Sequence, residues 1–286
     1  MKIGVLGSGH MGAGLGWALR EGGADVCTTL LGRSERSRRF ALEADLAVLP
    51  DLDEVVGTSD VILVVTPPAA AREVAGDIAA CATRSGARPL VADLNAIAPT
   101  TAAEVAETLA AVGIDLVDGS ISGPPPWVRK GARLYFSGPR AAEIVDLPWQ
   151  HVTAANLGPR PGSAKALKMS TASVYKGLVA LYTQAVRSAH HYDVLDAVLA
   201  DLRGAGYDLI PDVAVAATKS ARYVAEMHEI ALTQAGADLD PALFTAFADV
   251  WSEVSTTALA DGDPEAERTT ERTPTEIVSL LAHRGD

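Results

Sequence analysis

The sequence predicts an α/β chain in two parts: a doubly wound parallel sheet over residues 1–160 and an all-α half over residues 161–286, entered through one long helix. Three observations carry this. Up to about residue 150, short apolar runs alternate with amphipathic segments, the pattern of buried parallel strands joined by crossover helices. A glycine-rich turn stands where the first apolar run gives way to the first amphipathic segment. Beyond residue 162, apolar residues recur at helical spacing with almost no strand-like alternation. The 286 residues suffice for about two domains, each with its own core.

Taken in order, the predicted strands cover residues 2–6, 25–31, 61–65, 89–92 and 115–117, with edge strands near 134–137 and 151–152. Each is short, apolar and bounded by glycine, proline or charge, as strands buried on both faces should be. Helices over 12–21 and 72–82 connect them, and right-handed crossovers follow from the chirality of parallel connections. Residues 163–191 contain no proline and only Gly177 as interior glycine, so one unusually long helix is expected. Further helices are predicted over 193–203, 211–236 and 241–260. The polar run 261–274 is expected as a mobile connection before a terminal helical turn. No internal repeat is present.

Composition excludes several classes of function. Lys and Arg number 24 against 36 Asp and Glu, a net charge of -12, so no broad basic surface exists to neutralise a nucleic-acid backbone. No apolar run approaches the roughly 18 residues of a membrane span. The two cysteines, Cys27 and Cys81, have apolar neighbours and no metal-ligand spacing, and read as buried thiols of a reducing, cytoplasmic protein. His190, His191 and His228 have no carboxylate or cysteine at ligand spacing, so no metal is expected. Glu226 and Glu229 share a helix face and read as salt-bridged or solvated. No G-x-S-x-G nucleophile turn occurs.

The first strand runs into Gly7-Ser8-Gly9-His10-Met11-Gly12, a G-x-G-x-x-G at a strand-to-helix junction. Its glycines suit a tight turn, close approach of backbone to a pyrophosphate, and close packing of helix on strand, with the helix N-terminus facing the anion. This is the fingerprint of a dinucleotide-binding, Rossmann-type domain, with Gly7, Gly9, His10, Met11 and Gly12 as cofactor-binding positions. An NAD site of this kind places an acidic residue at the end of the second strand, for the ribose 2'-hydroxyl. Here that strand ends in Leu31-Gly32-Arg33-Ser34. A guanidinium and a hydroxyl suit a 2'-phosphate, which a carboxylate would repel, so Arg33 and Ser34 favour NADP over NAD. Arg38 and Arg39 read instead as the solvated face of a short helix.

Four further segments, in order, resemble the β-hydroxyacid dehydrogenase superfamily, which includes 3-hydroxyisobutyrate and 6-phosphogluconate dehydrogenases and imine reductases. Residues 59–68, ending Thr66-Pro67-Pro68, are similar to the strand and loop beside the nicotinamide. Asp93-Leu94-Asn95-Ala96-Ile97-Ala98-Pro99 is similar to the D-x-S-T-x-x-P element. Asp118-Gly119-Ser120-Ile121-Ser122-Gly123 resembles the substrate-binding D-A-P-V-S-G motif. Gly162-Ser163-Ala164-Lys165-Ala166-Leu167-Lys168 resembles the G-x-G-x-x-x-K motif that opens the interdomain helix. The resemblance implies Lys168 as catalytic lysine, Ser122 and Gly123 as substrate-binding, and Thr66, Pro67, Pro68 and Asn95 near the cofactor. It also implies a homodimer and an active site in a cleft between domains. An ammonium suits the chemistry, because hydride transfer to a carbonyl carbon leaves an alkoxide in need of a proton. Helical spacing puts Lys168, Thr171 and Tyr175 on one face, with Thr171 a substrate contact and Tyr175 a reserve proton donor.

The chain departs from the pattern at instructive places. Thr171 stands where the family commonly has asparagine, Asn95-Ala96 where it has Ser-Thr, and Pro124 where a second glycine is expected, followed by Pro125-Pro126-Trp127. Proline has no N–H to offer a substrate carboxylate. A larger or less acidic substrate is therefore expected, with Trp127 as pocket wall or loop anchor, and the whole looks most like a bacterial branch of 6-phosphogluconate dehydrogenase-like proteins. The expected function is NADP-dependent hydride transfer to or from a carbonyl or hydroxyl carbon of a small molecule. Imine reduction and a non-catalytic, dinucleotide-responsive binding protein are the alternatives.

Overall fold

The computed structural model describes residues 1–282; the last four residues of the predicted helical half, 283–286, lie outside the described residues. By internal packing the chain divides into two units, residues 1–169 and 170–286.

The first unit is built on an eight-stranded sheet in the order β3-β2-β1-β4-β5-β6-β7-β8. Its strands are β1 (Lys2–Leu6), β2 (Asp25–Thr29), β3 (Ala47–Leu49), β4 (Val61–Val64), β5 (Leu90–Asp93), β6 (Leu116–Ser122), β7 (Ala132–Ser137) and β8 (Val152–Asn156). Strands β1 to β6 are parallel, β7 runs antiparallel to β6, and β8 is parallel to β7. Between them lie α1 (His10–Glu21), α2 (Glu35–Glu43), α3 (Leu52–Thr58), α4 (Ala71–Ser85), α5 (Pro99–Ala110) and α6 (Ala141–Val145). The sheet buries a core on each face. Ile3, Val5, Leu15, Leu19, Leu63 and Phe136 fill one side. Leu6, Ile62, Val64, Ile78, Val91 and Leu109 fill the other. Because β1 is flanked by β2 on one side and β4 on the other, the strand order reverses there and leaves a crevice at the carboxyl ends, where α/β sheets of this kind bind ligands.

Two differences from the sequence reading bear on the site. Strand β3 is an added edge strand whose three residues alternate too little to be seen as a pattern; Ala47 and Val48 are exposed. Strand β6 extends through Ser122 instead of ending at residue 117, because residues 118–122 find an antiparallel partner in β7, with Asp118 opposite Ser137 and Ser122 opposite Arg133.

Helix α7 (Ser163–His191) is continuous, and its first turns belong to the first unit. The second unit is helical, with α8 (Leu195–Gly204), α9 (Ile210–Ala217), α10 (Ser220–Ala235), α11 (Ala242–Val254), α12 (Pro264–Glu267) and α13 (Pro274–Leu280). The helix expected over 211–236 is two helices, broken by a turn in which the Lys219 N–H donates to the Ala216 carbonyl. The run 261–274 is not structureless. It carries α12, and Glu267 holds Arg272 at 2.8 Å. Inside this unit Trp251 is fully buried with Tyr223 edge-on at 5.4 Å, and Lys176 lies over the Tyr223 ring at 4.5 Å while pairing with Glu226. Glu226 is also held by Arg222 at 3.0 Å, so it is a salt-bridged position.

Candidate dinucleotide and proton-transfer site

The glycine-rich turn leads from β1 into α1, and each glycine has its own steric reason. Gly7 has φ +95°, and a Cβ there would stand 2.2 Å from the Val65 carbonyl oxygen. A Cβ on Gly12 would stand 2.1 Å from the Gly7 carbonyl oxygen. Gly9 differs: a Cβ there would meet nothing within 4 Å, so the space over it is open. Helix α1 begins directly after Gly9 with no acidic residue in its first turn, so its N–H groups and the positive end of its dipole face that space. The Ser8 hydroxyl beside it is buried and has no hydrogen-bond partner among the described residues. An open cradle, uncapped N–H groups and an orphaned hydroxyl fit the pyrophosphate of a dinucleotide.

The His10 ring is not directed into the cradle. It stacks on Phe40 of α2 at 4.6 Å, and Met11, half-buried, packs against the hydrophobic core on that face of the sheet. Trp127 stands 5.8 Å from both rings, and Gly14 of α1 allows it and Pro125–Pro126 to pack closely. Trp127 is thus the anchor of the loop between β6 and β7.

At the end of β2, Gly32 takes φ +70° and turns the chain into Arg33 and Ser34. Ser34 caps α2, accepting from the Ser37 N–H at 3.3 Å. Arg38 donates to the Arg33 carbonyl and pairs with Glu35, and Arg39 pairs with Glu43 while covering Phe40, which accounts for both as surface helix residues. Arg33 is half-buried on the connecting loop.

The carboxyl ends of β4, β5 and β6 hold the remaining residues. Thr66 is buried, and its N–H donates to Asn95 Oδ1 at 2.6 Å while its hydroxyl accepts from Asn95 Nδ2 at 3.1 Å. Pro67 is exposed, and Pro68 opens a short 3-10 turn. Asp118 accepts from the Gly162 N–H, and Ser137 Oγ accepts from the Ala164 N–H at 2.9 Å, so two side chains from the sheet cap the start of α7. Burial pushes the Asp118 carboxyl above its ordinary range, and neighbouring Asp93 adds to this, while the Gly162 N–H and the Lys165 charge oppose it. Ser122 and Gly123, the latter at φ +109°, are exposed where β6 ends.

Helix α7 then presents two lysines one turn apart. Lys168, half-buried, donates to the Ile121 carbonyl at 2.8 Å, next to Ser122. Lys165 is fully buried, 0% exposed, and ion-paired with Asp93 at 2.5 Å. Of the two, only Lys168 retains surface through which an amine can meet a ligand. Thr171 and Tyr175, farther along the helix, lie in the second unit and are exposed, Tyr175 at 73%. The sequence reading left Lys165 and Asp93 out of the site. A signal was there: Asp93 ends an otherwise apolar buried strand, and a carboxylate so placed requires a cation. Among the described residues, no group of three or more His, Cys, Asp or Glu is placed to hold a metal ion, and no helix is long and apolar enough to cross a membrane.

Residues 2–145 match the family described as the NAD binding domain of 6-phosphogluconate dehydrogenase. The chain belongs to that family, within the β-hydroxyacid dehydrogenase superfamily. Membership places it among the NAD(P)-dependent oxidoreductases. Residues 189–254 match a domain of unknown function, DUF1932. A curated relative, an uncharacterised 28.5 kDa protein of Methanothermus fervidus, is 23% identical over 199 residues, 70% of this chain and 75% of its own. Among solved structures, 3-hydroxyisobutyrate dehydrogenase of Mycobacterium tuberculosis shares the fold with a TM-score of 0.68 at 19% identity, covering 98% of each chain. An imine reductase from Myxococcus stipitatus, solved with NAD+, has a TM-score of 0.55 at 18% identity, covering 88% of this chain and 92% of its own.

Proposed function

We propose that the chain is an NADP-dependent oxidoreductase that interconverts a carbonyl and a hydroxyl carbon of a small molecule, with Lys168 as general acid and base. The observation that carries this is the placement of the Lys168 amine at the Ile121 carbonyl, beside the exposed Ser122 and Gly123, while the neighbouring Lys165 is sealed inside. When bound, NADP(H) supplies or accepts the hydride. Gly7, Gly9, Met11, Gly12 and the His10 backbone cradle its pyrophosphate, Arg33 and Ser34 take the 2'-phosphate, and Thr66, Pro67, Pro68 and Asn95 shape the wall on which the nicotinamide half rests. Lys168, as the ammonium, gives a proton to the alkoxide oxygen that carbonyl reduction leaves. In the opposite direction the neutral amine removes the hydroxyl proton. Ser122 and Gly123 hold the substrate, and Thr171, one turn beyond Lys168, adds a hydroxyl contact with Tyr175 as reserve donor.

We also read the chain as a cytoplasmic homodimer. Both cysteines are free thiols, and Val174, Leu178 and Leu181 of α7 form an exposed apolar stripe for a second copy to cover.

The test is a screen of NADPH oxidation over ketones, aldehydes, oxo acids and imines, followed by Lys168→Ala. Turnover should fall about 10²–10⁴-fold while NADPH affinity stays within about threefold. Unchanged turnover in the variant removes Lys168 from the mechanism, and failure of the parent protein to bind either dinucleotide removes the function.

A further inference from the structure

Lys165 has no part in the proton transfer, yet it is among the most completely engaged side chains in the protein. Its ammonium donates to Asp93 Oδ1 at 2.5 Å, to the Asp93 carbonyl at 2.7 Å and to the Asn95 carbonyl at 2.9 Å, which uses all three protons. Asp93 in turn accepts from the Asn95 N–H at 2.9 Å and from Asn95 Nδ2 at 3.0 Å. The second Nδ2 proton goes to the Thr66 hydroxyl, and Asn95 Oδ1 takes the Thr66 N–H. Every polar hydrogen of the Lys165 ammonium and the Asn95 amide is therefore spent inside the protein. Neither group has a proton left to donate to a ligand.

The two ends of this network are what give it a purpose. Thr66 follows Val65, whose carbonyl closes against Gly7 and whose side chain lies over Gly12, so one end rests on the nucleotide cradle. The other end is the turn of α7 that precedes Lys168. A well-packed apolar pair would hold a helix on a sheet at equal or lower cost than a buried ion pair. What an apolar contact lacks is direction: a hydrogen-bonded ammonium fixes the rotation and the axial position of the helix that carries it.

We propose that Lys165 and Asp93 form a positioning pair that sets where the Lys168 amine stands relative to the dinucleotide cradle, with Asn95 and Thr66 as the link between them. This rests on the reading of Lys168 as acid and base, which Lys168→Ala tests separately.

Lys165→Met alone strands the Asp93 carboxylate and can unfold the chain, so the decisive variant is the double substitution Asp93→Asn with Lys165→Met, which removes both charges together. Three readouts are compared with the parent: NADPH affinity, the kcat and KM of the reaction found in the screen, and the pH titration of the Lys168 ε-carbon by NMR, in the protein without nucleotide. The proposal expects NADPH affinity and KM within about threefold, kcat lowered about 10²-fold, as a misplacement of about 1 Å produces, and a displaced Lys168 titration. A double variant that folds and keeps the parent's kcat overturns the proposal. A lowered kcat with the Lys168 titration unmoved overturns it as well, because the loss then arises elsewhere.

Discussion

Replacing Gly9 by alanine adds one methyl group to the proposed nucleotide cradle without asking the backbone to move. Gly9 has φ -69° and ψ -175°, a conformation open to any L-residue, and the new Cβ meets no protein atom within 4 Å. The stability change should stay within about 1 kcal/mol. The same substitution at Gly12 drives a methyl to 2.1 Å from the Gly7 carbonyl oxygen, where real Cβ atoms essentially never come closer than 3.0 Å, so helix and turn must part. Overpacking of that degree costs about 3 kcal/mol, or about 6–12 °C in Tm for a domain of this size. Binding should order the two variants differently. In Gly9→Ala the methyl occupies the approach of the pyrophosphate, and loss of one charge-assisted hydrogen bond, about 1.5–3 kcal/mol, weakens NADPH binding about 10–100-fold. Scanning calorimetry paired with fluorescence titration of NADPH reads both quantities. A Gly9→Ala protein that binds NADPH as tightly as the parent would refute the placement of the cradle. One that melts as low as Gly12→Ala would refute the packing argument.

Arg33→Ala should weaken NADP(H) about 10–100-fold and leave NAD(H) within about twofold, since only the former carries the 2'-phosphate; equal losses for both in competition titrations exclude Arg33 as the discriminating group. Asp118→Asn keeps an oxygen acceptor for the Gly162 N–H but carries no charge. Because the folded-state pKa of Asp118 is raised, the stability linked to its protonation is present below the ordinary carboxylate range and is lost as pH rises through the raised value. The variant should therefore gain stability relative to the parent as pH rises from about 4 toward 7. Calorimetry across that range decides it, and a gap that is constant or widens in the opposite sense refutes the assignment.

Much of the architecture was legible because its signals are local. The apolar runs of β1, β4 and β5 and the unbroken helical stretch of α7 are set by neighbours in the chain, and their predicted ends lie within a residue or so of the observed ones. Strand β6 was legible only to residue 117, because its last residues are strand by virtue of β7, a partner that periodicity does not announce. The break between α9 and α10 was missed for a related reason. No glycine or proline marks it, and helical propensity alone carries the pattern straight through Thr218 and Lys219.

At the site the division is sharper. The glycine turn, the absence of a carboxylate after β2 and the lysine motif are statements about residue type at fixed spacing, and the sequence by itself determined them. Only the Gly12 clash is local, with its own turn; the demand for glycine at position 7 comes from the Val65 carbonyl, a tertiary contact. Which lysine is sealed and which remains accessible, where the His10 ring lies, and that the Asn95 amide is wholly occupied were decided only by tertiary structure. Lys165 and Asp93 are 72 residues apart in the chain. Two adjacent turns of one helix thus place chemically identical side chains in different environments, one sealed and one half-buried, because burial belongs to the surface a helix is packed against and not to the helix.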